Sequence, residues 1–143
     1  MWKVLVSMMA ATMLCSAPSI AQNRPSVIAL ELNNNSGERK AFVTSEAVNV
    51  SGRSLAFEEM PAASTIRERL EFDTNATSGL WRLTLRVYGL DMLVEKECVV
   101  TLTLRRPLGS SSESTDRTPG TLCSVTFYAV DSERADLIVS FNP

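Results

Sequence analysis

The chain has 143 residues, a length for one domain built on one core. Its 14 basic and 16 acidic residues give a net charge of −2, and no basic run exceeds a dipeptide such as Arg105-Arg106. That balance argues against a charge-driven nucleic-acid role. The sequence has no histidine, which excludes Ser-His-Asp and Cys-His catalysis, imidazole metal ligands and the common near-neutral acid/base group.

Met1–Ala21 reads as a secretory signal: Lys3, an apolar run from Val4 to Leu14, then small residues ending Ser19-Ile20-Ala21, with cleavage before Gln22. The run is too short to span a bilayer, which takes about 20 residues. Leu14 is bulky where lipoprotein processing at Cys15 wants a small residue. Residues 22–143 are then a single exported domain, periplasmic or secreted, with 13 basic against 16 acidic residues once Lys3 is gone. The short leader and the excess of arginine over lysine have a bacterial look.

The exported part reads as strand after strand. Val27–Asn33 places Ile28, Leu30 and Leu32 on one face, and Asn33–Gly37 turns. Arg39–Thr44 is a weaker strand carrying Phe42. Ala47–Val50 and Ser54–Glu58 flank Ser51-Gly52 as a tight hairpin, with Val48 and Val50 facing Leu55 and Phe57. After the Pro61–Ser64 linker comes Ile66–Asp73, whose Leu70 and Phe72 point inward while Glu68, of the same parity, breaks the pattern. Asn75–Gly79 turns into an inward row of Trp81, Leu83, Leu85 and Val87. Gly89-Leu90-Asp91 reverses the chain into Met92–Arg106, where Val100, Leu102 and Leu104 alternate with threonines. On the outer face Arg82 and Arg86 are expected opposite Glu97 and Glu95, as a solvated ion ladder contributing a few tenths of a kcal/mol per pair.

Pro107–Gly120 lacks apolar residues apart from Leu108 and reads as a long, mobile Ser/Thr-rich surface loop. Leu122–Val130 resumes the alternation with Cys123, Val125, Phe127 and Ala129. It forms a hairpin through Asp131–Arg134 with the last strand, Ala135–Phe141.

Two cysteines remain after the leader, and a pair in an exported chain is read as a disulfide. Cys98 shares the inward parity of Val100, and Cys123 that of Val125. In a simple hairpin the two sulfurs would sit at opposite ends, beyond the roughly 4.4–6.8 Å between Cα atoms that a disulfide allows. A Cys98–Cys123 bond therefore requires residues 107–120 to cross back, with the two strands side by side or in different sheets. The expected fold is all-β: an antiparallel β-sandwich, immunoglobulin-like in architecture, with seven to nine short strands and one disulfide. Trp81 precedes both cysteines, so the tryptophan-between-cysteines hallmark of true immunoglobulin domains is absent.

Function is less legible. Glu58-Glu59 are adjacent on a strand and point to opposite faces, and Glu95 and Glu97 fit the ion ladder, so neither pair reads as catalytic. Asp131, Glu133 and Asp136 lack the spaced Asp/Asn-Gly calcium loop, and no glycine-rich phosphate loop is present. No enzyme activity, metal or cofactor is expected. Sequons occur at Asn34, Asn49 and Asn75. The expected function is a non-catalytic binding or accessory module for a protein or glycan of the cell envelope or extracellular space, without nucleic acid or a membrane span. Its candidate binding loop comprises Ser110, Ser111, Ser112, Glu113, Asp116 and Arg117. The alternative is an assembly subunit that self-associates through edge strands, with the Ile28/Leu30/Leu32 strand as donor.

Overall fold

Alternation of apolar and polar residues makes each strand two-faced, and two such sheets must bury their apolar faces against each other. The computed structural model describes residues 24–53, 55–117 and 122–143. Among these lie ten strands: β1 (Ser26–Asn34), β2 (Ala41–Val48), β3 (Val50–Ser51), β4 (Glu58–Met60), β5 (Ser64–Phe72), β6 (Ser78–Tyr88), β7 (Val94–Arg105), β8 (Ser112–Arg117), β9 (Leu122–Ala129) and β10 (Arg134–Asn142). One sheet has the order β3-β5-β1-β10-β9 and the other β4-β2-β6-β7-β8. All paired neighbours are antiparallel except β1 and β10, which run parallel over Val27–Asn34 and Arg134–Phe141. Among the described residues, no helix is long and apolar enough to cross a membrane.

The core lies between the sheets. Ile28, Leu30 and Leu32 of β1, Leu70 and Phe72 of β5, and Leu137, Val139 and Phe141 of β10 face Trp81, Leu83 and Leu85 of β6 and Val100, Leu102 and Leu104 of β7. Cys98 on β7 and Cys123 on β9 are bonded, with their Cα atoms 6.2 Å apart. The bond joins one sheet to the other, the second of the two arrangements that the parity argument left open. The span of 25 residues it closes contributes about 3.5 kcal/mol in the chain-entropy picture.

Four local expectations are corrected. The strands number ten rather than seven to nine, because two short edge pieces, β3 and β4, and the polar β8 join the sheets. The Ser51-Gly52 hairpin does not form. The chain instead leaves the second sheet at Asn49, in the left-handed region at φ 56, and Val50-Ser51 pair with Phe72-Glu71 in the first. Gly52 is needed there because a Cβ would come within 2.9 Å of the Arg69 carbonyl oxygen. Leu55 returns to the core, with its carbonyl accepting from the Ser45 N–H at 2.7 Å, while Val48 and Phe57 stay exposed.

The Pro107–Gly120 segment is not a continuous loop: Leu108–Ser110 form a 3-10 turn and Ser112–Arg117 form β8, paired along β7. Its remainder, 118–120, lies outside the described residues. Finally, the β6–β7 register differs from the expected one. Arg86 lies opposite Glu97, Arg82 opposite Thr101, and a bulge beside Tyr88 leaves Glu95 without a cross-strand partner in the ladder.

Candidate functional site

The structure sets the serines and charges singled out in the sequence along β8 and the turn that precedes it. Ser110 Oγ donates to the Pro107 carbonyl at 2.8 Å, and Ser111 Oγ accepts from the Arg105 N–H at 3.0 Å. Both therefore fasten the turn between β7 and β8. Ser112 and Glu113 are exposed on β8 opposite Thr103 and Leu102, and Asp116 and Arg117 occupy β8 positions opposite Val99 and Cys98. They make a short polar edge strand, a common way to discourage unwanted strand pairing.

The unusual surface is at the far end of β6 and β7. There the chain exposes Leu90 completely, together with Met92 (76 %), Leu93 (66 %) and Val94 (45 %). Scattered exposed apolar residues are ordinary, but several on one hairpin tip are not. The tip is held by its own bonds. The Gly89 N–H donates to the Leu93 carbonyl at 2.9 Å, the Met92 N–H to the Gly89 carbonyl at 3.1 Å, and the Leu93 N–H to Asp91 Oδ1 at 3.1 Å. At Gly89 the side chains of Glu95 and Asp91 close over the backbone, and a Cβ there would displace the Glu95 carboxylate. Glu95, released from the ladder by the bulge, binds Arg39 at 2.5 Å, and Arg39 also donates to the Tyr88 carbonyl at 3.4 Å.

Behind the tip lies an aromatic cluster on the outer face of the second sheet. Phe42 stacks on Phe57 with ring centroids 4.9 Å apart, and Tyr88 meets Phe42 edge-on at 5.4 Å. Lys40 Nζ stands 5.5 Å from the Phe42 centroid. Phe57 remains 57 % exposed. Met92 and Phe57 both hold positive φ, 62 and 53, in the left-handed region that non-glycine residues rarely adopt. Around this surface run charges of both signs: Arg39 with Glu95, Lys40 with Glu59, and Glu38 and Asp91 besides.

The carboxylates weighed for chemistry are engaged in ion pairs. Glu58 binds Arg53 at 2.8 Å, Glu59 binds Lys40 at 3.0 Å, and Glu97 binds Arg86 at 2.5 Å. Asp131 accepts from the Glu133 N–H and then from Arg134, and these two bonds hold its carboxyl below the ordinary range. Among the described residues no group of three His, Cys, Asp or Glu side chains is placed to hold a metal ion. Of the sequons, Asn49 and Asn75 are exposed. Asn34 is buried, with its amide committed to the carbonyls of Arg39, Met60 and Pro61.

The tip escaped the sequence reading because Gly89-Leu90-Asp91 reads as a turn and Met92 as the start of the next strand, which in the structure begins at Val94. The signal was present, however: Met92-Leu93-Val94 is an unbroken apolar run beside Leu90, where a solvated turn would be polar. No protein-family model matches the chain, and no curated protein matches it.

Proposed function

We propose that this immunoglobulin-like sandwich is a non-catalytic, exported binding module that recognises a protein of the cell envelope or extracellular space through its β6–β7 tip. The observation that carries the reading is the apolar quartet Leu90, Met92, Leu93 and Val94, displayed on a hydrogen-bonded hairpin. A tip already fixed in shape loses little conformational freedom on docking, which favours affinity. An apolar centre with aromatics behind it and a mixed-charge rim is the anatomy of a protein interface. Backbone strain at Met92 and Phe57 falls on this same surface, as strain does at sites that must present a side chain. The charges nearby include no basic excess of the kind that draws a protein to anionic lipid.

The test compares the wild-type chain with a Leu90→Asp/Met92→Ser variant as cross-linking baits in the native envelope and secretome fractions. Both residues are exposed, so melting temperatures should coincide. A partner recovered by the wild type should bind the variant at least about 30-fold more weakly, since burying one leucine contributes roughly 2 kcal/mol. Equal recovery by both baits, or tip-dependent flotation on phosphatidylcholine vesicles in place of a protein partner, overturns the reading.

Recovery of the chain with itself would favour the second reading, assembly through edge strands. That reading would use an edge strand, and of the four edges β8 and β9 are longer than the two-residue β3 and three-residue β4. The donor role expected for the Ile28/Leu30/Leu32 strand does not suit β1, which is central and already paired with β5 and β10.

A further inference from the structure

The outer face of the first sheet carries a second, unrelated feature. Cross-strand register places Arg69, Ala29, Asp136 and Tyr128 in one row across β5, β1, β10 and β9, and Arg67, Glu31, Ile138 and Thr126 in the next. Ala29 is the small member of its row, and it floors an open trough of about 320 Å³ walled by Arg67, Glu68, Asp136 and Ile138. A second opening, of about 530 Å³, follows along β1 at Val27, beside Arg69 and Arg134.

The groups in this trough and along the Arg69–Ala29–Asp136–Tyr128 row have unused capacity. The carboxylate of Asp136 has no hydrogen-bond or ion-pair partner among the described residues and can only accept. Arg67 and Arg69 each engage a carboxylate, Glu31 and Glu71, through Nε alone, so their Nη donors remain available on the opposite wall. Tyr128 is 63 % exposed beside Asp136, with its hydroxyl unpaired among the described residues. An acceptor, a set of forked donors and an aromatic ring, spread over three strand spacings or about 14 Å, suit a ligand that offers both hydroxyls and an apolar C–H face.

We propose that this trough binds a neutral oligosaccharide, whose hydroxyls donate to Asp136 and accept from Arg67 and Arg69 while one sugar ring lies against Tyr128. Charge selects the class. The two openings gather Arg24, Arg67, Arg69 and Arg134 against Glu31, Glu68, Asp131, Glu133 and Asp136, without the basic excess that draws anionic glycans or nucleic acid. A peptide in β-augmentation would need an open strand edge, whereas β1 is paired on both sides. The site lies on the sheet opposite the apolar tip, so it stands or falls separately from the protein-docking role.

The experiment is an amide chemical-shift titration of residues 22–143 with cellohexaose, chitohexaose and xylohexaose. At least one sugar should give saturable shifts clustered at residues 27–31, 67–69 and 126–138. Tyr128→Ala and the trough-filling Ala29→Phe should each weaken binding about tenfold, and Asp136→Asn several-fold. All three positions are exposed, so the variants should keep the wild-type melting temperature, and Leu90→Asp should bind sugar as the wild type does. No saturable shift with any of the three sugars overturns the proposal. So do shifts outside this face, or binding that Ala29→Phe and Asp136→Asn leave unchanged.

Discussion

At the scale of single residues, Asn34 is the polar group on which local structure most depends. Its side chain is 1 % exposed and makes four hydrogen bonds: Nδ2 to the carbonyls of Arg39, Met60 and Pro61, and Oδ1 from the Ser36 N–H. Those bonds tie the turn after β1 to the segment leaving β4, so one amide does the work of a short piece of ladder. Asn34→Ala removes the donor and leaves buried carbonyls without it. The expected cost is about 2–3 kcal/mol, read as a lower urea midpoint at unchanged slope. A loss below about 0.5 kcal/mol would show that water replaces the amide freely. An Asn34 carrying a sugar could not keep these bonds, so the first of the three sequons is structural in this fold.

At the scale of elements, the disulfide fastens the side of the sandwich where both sheets end, at β8 and β9. Replacing Cys98 and Cys123 together by alanine should lower stability by about 2–4 kcal/mol without changing the strand signature in circular dichroism. Loss of that signature would mean that the two sheets do not associate without the bond. The strands legible in the sequence were those with an inward row of apolar residues: β1, β5, β6, β7, β9 and β10, with β2 as a weaker one. β8 was not legible, because SESTDR has no apolar alternation; its extended form is set by pairing with β7. Nor was the crossing at Asn49, since Val48 and Val50 look like one strand until the chain changes sheet between them. The candidate site was hidden for a related reason. Composition marks Leu90, Met92 and Leu93 as apolar, but only the hairpin's place at the end of the sandwich makes them exposed.

At the scale of the whole molecule, the lack of histidine leaves few groups to titrate near neutrality. The carboxyl of Glu31 is held below its ordinary value by the Asn33 amide first and by Arg67 second, and that of Asp131 by the Glu133 N–H and Arg134. Lowered folded-state values stabilise above the unfolded value, and that contribution is lost as pH falls through the folded one. The melting temperature should therefore be flat from pH 6 to 8 and decline below about pH 4. A step between pH 6 and 8 would contradict this. The parallel alignment of β1 and β10 has a mechanical consequence. Because both strands point the same way, the start of β1 and the end of β10 lie at opposite ends of the ladder. Tension applied between those two points loads all eight residue pairs in shear at once, where the β9–β10 hairpin under a pull at its open end would unzip pair by pair. A domain strung this way between an anchor and a load would resist extension through the middle of its first sheet.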